Sequence, residues 1–142
     1  MASSIIFVPV VGMFLLTLVV WVWMFRERIR AMRELGIEPQ TRADLDRLGP
    51  RAVNSSANFQ NLFELPVIFY ACVLALVAVR AADTLVVVCA FGFLAFRVAH
   101  SVIHCTYNQV MHRFTVYAIA SLFLWVMVLR LAVAVLAGVA PA

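Results

Sequence analysis

Four long apolar stretches separated by short polar ones dominate the chain. They cover residues 5–25, 59–79, 85–107 and 114–137. A transmembrane helix needs about 20 predominantly apolar residues, and each stretch reaches that length. The pattern therefore predicts an all-α integral membrane protein in which four transmembrane helices form a bundle, as a single domain over residues 1–142.

The segment 26–53 is the one substantial polar stretch, and seven of the arginines lie in it. Because positively charged loops stay in the cytoplasm, we expect this loop to be cytoplasmic and both termini to lie outside. Gly36 is placed to end the first helix with a left-handed cap. Thr41 and Asp44 have the spacing of a capping arrangement for a short helix, and Pro50 suits the first turn of the next one.

Two features predict where the later helices bend or turn. Pro66 lies inside the second apolar stretch, and its missing N–H predicts a bend near Leu62. The stretch 85–137 contains no proline, yet as one helix it would be roughly 80 Å long, far more than a bilayer. We therefore expect a turn in its most polar part, 106–113. Arg130 lies in the last span near the outer interface, where we expect its guanidinium to snorkel to water rather than to act as a paired functional charge.

The composition supports the same class of protein. Apolar residues make up 65% of the chain and charged residues 13%, and the mean hydropathy is +1.02. The 11 basic residues are all arginines, against 7 acids. Most arginines alternate with acids in the loop or lie singly in the spans, so we expect no nucleic-acid binding. Cys72, Cys89 and Cys105 lie in apolar runs, which predicts reduced packing residues rather than disulfides.

A polar face interrupts the third apolar stretch. Its members are separated by three or four residues and so share one side of a helix. They are Arg97, His100, His104 and Asn108. A charged side chain at a helix centre in hydrocarbon costs roughly 2.5–3.5 kcal/mol, so such residues turn inward and pair, or they face water. If this chain performs chemistry, we expect these residues to take part.

A second polar group stands just before Pro66, where Asn61 and Glu64 share a face. A buried carboxylate needs a cation or hydrogen-bond donors, so we expect Glu64 to lie beside the arginine face of the third span. The four-span topology brings further polar residues to the level of this group near the cytoplasm. The whole predicted cluster is Arg26, Asn61, Glu64, His104 and Arg113. Guanidinium groups bind carboxylates through two parallel hydrogen bonds, so the cluster suits a small anionic ligand. The alternative is an internal ion-pair network that fixes helix register.

A metal site is a weaker interpretation of the same residues. His100 and His104 have the HxxxH spacing that can place two imidazoles on one metal ion. Arg97 on that face would repel a cation, however, and no third ligand stands at a fixed spacing. We expect no metal and assign the histidines to interhelical hydrogen bonds or ligand contact. The sequence also contains no Ser/His/Asp order or Gly-rich phosphate loop, so it gives no support to a hydrolase or kinase.

These residues resemble the MAPEG family, the membrane-associated proteins in eicosanoid and glutathione metabolism, in the manner of a bacterial-type member. The resemblance covers nearly the whole chain and is sharpest in two motifs. One is NxxE followed by proline, and the other is RxxH followed by HRFxxY. They comprise Asn61, Glu64 and Pro66, then Arg97, His100, Arg113 and Tyr117.

The resemblance implies a homotrimer of four-helix protomers, with sites between subunits that open to the cytoplasm. It implies a glutathione transferase-like enzyme that performs thiol transfer, peroxide reduction or isomerisation on small lipophilic substrates supplied by the lipid bilayer. Glutathione, as cosubstrate, would be bound by Asn61, Glu64, Arg97 and His100. Arg26 would hold a carboxylate. Arg113 would stabilise the thiolate, because an adjacent guanidinium favours that form, and Tyr117 would donate to the sulfur or to the substrate.

Three positions depart from the glutathione-using members of the family. Those members carry an arginine where this chain has Gln60, a tyrosine where it has His104, and can carry a small hydroxyl residue where it has Phe114. Loss of one carboxylate-binding arginine costs roughly 1.5–3 kcal/mol. Another small thiol is therefore a second possibility for the cosubstrate. The alternative function is a non-enzymatic membrane protein that binds an anionic lipid or supports a larger complex.

Overall fold

The computed structural model describes residues 2–138, with the side chains from position 4 onward. Its elements, in chain order, are α1 (Ala2–Ile5), α2 (Phe7–Leu35), α3 (Arg42–Asp46), α4 (Pro50–Asn61), α5 (Leu65–Ala78), α6 (Thr84–Cys105) and α7 (Val110–Leu136). Four helical segments are long and apolar enough to cross a membrane: α2, α4 with α5, α6 and α7. The prediction of an all-helical, four-span protein is confirmed. The predicted single domain and the predicted outside termini include residue 1 and residues 139–142, which lie outside the described residues.

The loop between the first two spans has the predicted local structure. Gly36 ends α2 in the left-handed region, at φ 61°, and its N–H bonds to the carbonyl of Met32. A capping box opens α3, in which the Thr41 side chain accepts from the Asp44 N–H and the Asp44 carboxylate accepts from the Thr41 N–H. Hydrogen bonds from the Thr41 side chain and from the Gln40 and Thr41 backbones lower the pKa of Asp44.

The second span is broken where Pro66 predicted a bend. The helix α4 ends at Asn61 and α5 begins at Leu65, with Pro66 in its first turn. Between them the chain tightens, and the Phe63 N–H bonds to the Gln60 carbonyl at 2.9 Å. The missing proline N–H explains the loss of the helical ladder here. The break places both Asn61 and Glu64 at the ends of helices.

The third and fourth spans form the most extensively packed pair. Gly92 allows close approach, because an added Cβ would lie 2.8 Å from the ring of Phe123. The chain turns after Cys105, within the predicted 106–113 segment, and Asn108 lies in this turn with a φ of 46°. Phe69 of α5 stacks on Phe93 of α6, with ring centroids 4.6 Å apart.

Large apolar side chains cover the outer surface of the bundle. Phe14, Leu18, Val88, Leu122 and Leu129 are all more than half exposed. An apolar exterior of this extent is stable only in lipid or against another protein surface. The bundle is therefore an integral membrane structure in which a small core holds the helices together.

Arg130 is partly exposed, as snorkelling requires, but it is also paired, which the expectation did not include. Its Nε lies 2.8 Å from Oδ2 of Asp83, and this ion pair joins α7 to the start of α6. Asp83 also caps α6 by accepting from the Val86 N–H. Two residues 47 positions apart form this pair, so no local spacing indicated it.

The ion pair makes stability depend on pH. The hydrogen bond from Arg130, together with that from the Val86 N–H, lowers the pKa of Asp83 in the folded protein. A lowered folded-state pKa stabilises the fold above the unfolded value of about 3.9, and that contribution is lost as pH falls through the folded value. We expect Asp83→Asn to lose about 0.2–1 kcal/mol at neutral pH, because both side chains are partly exposed. The difference from wild type should vanish in acid.

Thermal unfolding in detergent at several pH values measures this difference. Asp46→Asn, which alters an exposed acid with no ion pair in the described structure, is the matched control. A constant difference between Asp83→Asn and wild type down to strongly acidic pH would contradict the assignment.

Candidate functional site

The polar face of α6 is buried against the break in the second span and against α7. Arg97, His100 and His104 occupy successive turns and are at most 2% exposed. A fully buried arginine requires hydrogen-bond partners or a counter-ion. The partners of this side chain therefore define the site.

The main partner of Arg97 is a backbone carbonyl. Its Nη2 donates to the carbonyl of Asn61 at 2.8 Å, while its Nε and Nη1 are buried without a partner in the described structure. The Arg97 Cζ lies 5.8 Å from the ring centroid of Tyr117. Asn61 ends α4, and the last carbonyls of a helix have no partner within it. The helix break thus supplies the acceptor that holds the guanidinium.

Glu64 lies beside the polar face as expected, in one pocket with His100 and Arg113, but it is neither buried nor paired within a single chain. Glu64 is exposed, and no ion pair joins it to an arginine of the described residues. The break that frees the Asn61 carbonyl also leaves Glu64 at the exposed edge of the pocket. A pairing of Glu64 with a neighbouring chain stays a prediction.

The histidines of this face have different surroundings. The His100 Nδ1 lies 3.2 Å from the carbonyl of Arg113. A carbonyl only accepts, so Nδ1 carries the proton and Nε2 presents a lone pair, which has no partner. The ring of His104 lies edge-on to that of His100, with centroids 5.5 Å apart. No group of three His, Cys, Asp or Glu residues within the described range could hold a metal ion.

Five of the predicted site residues line one pocket of about 220 Å³ on the side of the bundle where α6 turns into α7. They are Asn61, Glu64, His100, Arg113 and Tyr117. Val110 and Phe114 complete the wall with apolar surface. The pocket thus combines a guanidinium, a phenol, an imidazole, a carboxylate and an amide with an apolar edge.

The guanidinium of Arg113 is fixed by the α6–α7 turn. Its Nη1 donates to the side-chain oxygen of Asn108 at 2.7 Å. Its backbone N–H bonds to Gln109, and its carbonyl accepts from His100. Side chain and backbone are therefore both held in place.

Three predicted residues do not line this pocket: Arg97, described above, Arg26 and His104. Arg26 is exposed on α2, where its Cζ lies 5.9 Å from a Trp23 ring. The arginine of this segment that contacts α4 is Arg28, whose Nε donates to Ser56 at 2.9 Å. His104 is buried behind His100 and takes no part in the pocket wall.

A buried polar network next to the site was missed by the sequence interpretation. The side-chain oxygen of Asn58 accepts from Ser101 at 3.3 Å, and its nitrogen lies 3.4 Å from the sulfur of Cys105. Asn58 is three residues before Asn61, and Ser101 is four after Arg97. Both therefore share a helical face with a residue already selected, and that spacing was the available signal.

The fold and the pocket define a polytopic helical membrane protein with a polar, arginine-containing pocket at one end of its bundle. A model of the MAPEG family matches residues 6–133 of the chain. The chain belongs to the MAPEG family. No curated protein and no solved structure gives a significant match.

The Asn58 network should contribute measurably to stability. We expect Asn58→Ala to cost about 1–3 kcal/mol, because it leaves the buried Ser101 hydroxyl without its acceptor. Asn54→Ala is the matched control, since Asn54 lies on the same helix, is half-buried, and makes no side-chain hydrogen bond in the described structure. Reversible unfolding in mixed micelles measures both. Equal losses for the two variants would contradict a role for the network.

Proposed function

We propose that this protein is a transferase or peroxidase that uses glutathione or another small thiol to attack lipophilic electrophiles. The observation that carries the proposal is the arrangement of Arg113 and Tyr117 with Asn61, Glu64 and His100 around one pocket of a MAPEG chain. These are the residues that the family motifs mark for thiol binding and thiol ionisation.

Arg113 has the chemistry that thiol activation needs. A free cysteine thiol has a pKa of about 8.5, so it is mostly protonated at neutral pH, whereas the thiolate is the nucleophile. A positive charge within about 4–6 Å favours the anion and lowers such a pKa by about 1–3 units. The fixed guanidinium of Arg113 would supply that charge, and the Tyr117 hydroxyl would donate a hydrogen bond to the same sulfur.

The remaining residues suit the rest of the cosubstrate. Glutathione carries two carboxylates, an ammonium group and two peptide bonds. Glu64 is exposed at the pocket and would take the ammonium group. The buried donors of Arg97 that lack partners, and the free lone pair of His100, fit a polar molecule beside them rather than hydrocarbon.

The size of the pocket supports a site that is shared between subunits. Pockets for small molecules usually enclose about 300–1,000 Å³, and 220 Å³ is below that range. A neighbouring chain in a homotrimer would supply the missing wall and could bring Arg26 or Glu64 of another protomer to the site. In this proposal the site faces the cytoplasm, because the arginine-rich loop is on the same side of the bundle.

The apolar edge of the pocket suits the second substrate. Val110 and Phe114 are both exposed and line the pocket beside Arg113. An electrophile dissolved in the bilayer could reach the sulfur along this edge. The protein itself would then need no nucleophilic side chain.

A second candidate function is a non-enzymatic membrane protein whose polar residues serve packing, with an anionic lipid or a larger complex as its partner. The hydrogen bond from Arg97 to the Asn61 carbonyl favours it, because this bond joins α6 to α4 without any ligand. Under this alternative, Arg97→Ala and Glu64→Ala should chiefly weaken assembly, measured by light scattering in detergent. Under the enzymatic proposal, Glu64→Ala should leave the assembly intact and weaken thiol binding.

The enzymatic proposal predicts that Arg113→Ala binds glutathione as the thiol and not as the thiolate. The ultraviolet absorbance of the thiolate, recorded on mixing glutathione with the detergent-solubilised protein, measures the difference at neutral pH. We expect the ratio of bound thiolate to bound thiol to fall tenfold or more, which corresponds to a rise of one pKa unit or more. Arg33→Ala removes an exposed arginine of α2 and is the charge-matched control.

Full ionisation of glutathione bound to Arg113→Ala would show that this arginine has a different role. Absence of any binding to an intact wild-type assembly would move the search to other thiols and to anionic lipids.

A further inference from the structure

We propose that Asn108 is a positioning residue that directs the Arg113 guanidinium into the pocket without neutralising it, an inference that rests on the thiol-activating function proposed above. Asn108 belongs to no motif of the sequence interpretation beyond its place on the polar face of α6. The structure places it in the turn, outside that helix.

Two structural requirements restrict which residue can occupy position 108 of the turn. The first concerns its backbone, which is in the left-handed region with a φ of 46° and donates its N–H to the Ile103 carbonyl at 2.8 Å. Asparagine, aspartate and glycine tolerate this region better than other residues. The second concerns its side chain, whose oxygen accepts from Arg113 Nη1 at 2.7 Å. Glycine meets only the first requirement, so asparagine and aspartate are the residues that meet both.

The choice between these two is decided by charge. An aspartate at this distance would form a charge-assisted ion pair with the guanidinium. Its negative charge would offset the positive field that stabilises a thiolate beside Arg113. The amide of Asn108 fixes the same nitrogen through a neutral acceptor. The hydrogen-bonded pair of Asn108 and Arg113 therefore keeps a net positive charge.

The few acidic charges around the pocket explain why a neutral side chain at position 108 affects the stability of a thiolate beside Arg113. The titratable side chains that face Arg113 come from the break before α5, from α6 and from α7. They are Glu64, Arg97, His100, His104 and Tyr117. Glu64 is the only acid among them, and it is exposed to solvent that screens it. An aspartate at position 108 would add a second acid, bonded directly to the guanidinium.

The test uses Asn108→Asp and Asn108→Gly, with Gln109→Ala as a neighbouring control in the same turn. The thiolate absorbance of glutathione bound to each detergent-solubilised protein is titrated against pH. Asn108→Asp keeps the hydrogen bond and should still raise the pKa of the bound thiol by about one unit, which is a tenfold lower ratio of thiolate to thiol at a given pH. Asn108→Gly keeps the backbone conformation and should also lose thiolate, because the guanidinium is no longer held.

A merely structural Asn108 predicts a different order. Asn108→Gly, which keeps the backbone conformation, would then titrate like wild type, and this result would overturn the positioning role. Wild-type titration of Asn108→Asp would overturn the claim that the acceptor has to be neutral, even if Asn108→Gly failed to fold. A wild-type protein that binds glutathione with no thiolate would instead overturn the proposed function, and this inference with it. Unchanged titration in Gln109→Ala, with a raised pKa in both Asn108→Gly and Asn108→Asp, would establish the positioning role.

Discussion

The structure depends on one buried guanidinium, that of Arg97, in the middle of an apolar bundle. It is fully buried, and one of its donors is bonded to the last carbonyl of α4. An arginine at membrane depth is costly unless donors are matched by acceptors, so its surroundings must supply them. The break before Pro66 does this by freeing the Asn61 carbonyl from the helical ladder. The irregular backbone and the charged side chain therefore stabilise each other, and neither would be favourable in hydrocarbon alone.

The same constraint links the fold to the chemistry. Asn61 accepts a hydrogen bond from Arg97 and also lines the pocket. His100, one turn further along α6, joins α6 to α7 by donating a hydrogen bond to the Arg113 carbonyl. The turn between α6 and α7 then fixes the guanidinium of Arg113. Two backbone features, a helix break and a tight turn, thus set the geometry of the site. The chain belongs to the MAPEG family, and the thiol-dependent reaction at this site is our proposal.

Much of the fold follows from local features of the sequence. Long apolar runs set the four spans, Pro66 set the break, and Gly36 with Thr41 set the loop caps, because each acts on residues close along the chain. The expectations that the structure corrects involve residues far apart along the chain. The pairing of Arg130 with Asp83 and the exposure of Glu64 without an ion pair depend on how separate helices meet, which spacing does not encode. The pocket lining was largely foreseen because its members lie on motif positions, whereas Asn58 was overlooked although it shares a face with Asn61.

The central claim is that this pocket ionises a small thiol. The most direct test measures the protons released when glutathione binds. Calorimetric titration of the wild-type protein with glutathione at neutral pH, in buffers of different ionisation enthalpy, gives the number of protons released on binding. A thiol with a free pKa of about 8.5 is almost fully protonated at that pH, so thiolate formation should release nearly one proton for each molecule bound. We expect that release. Saturable binding with no net release of protons would contradict the account, because the pocket would then hold the thiol without activating it.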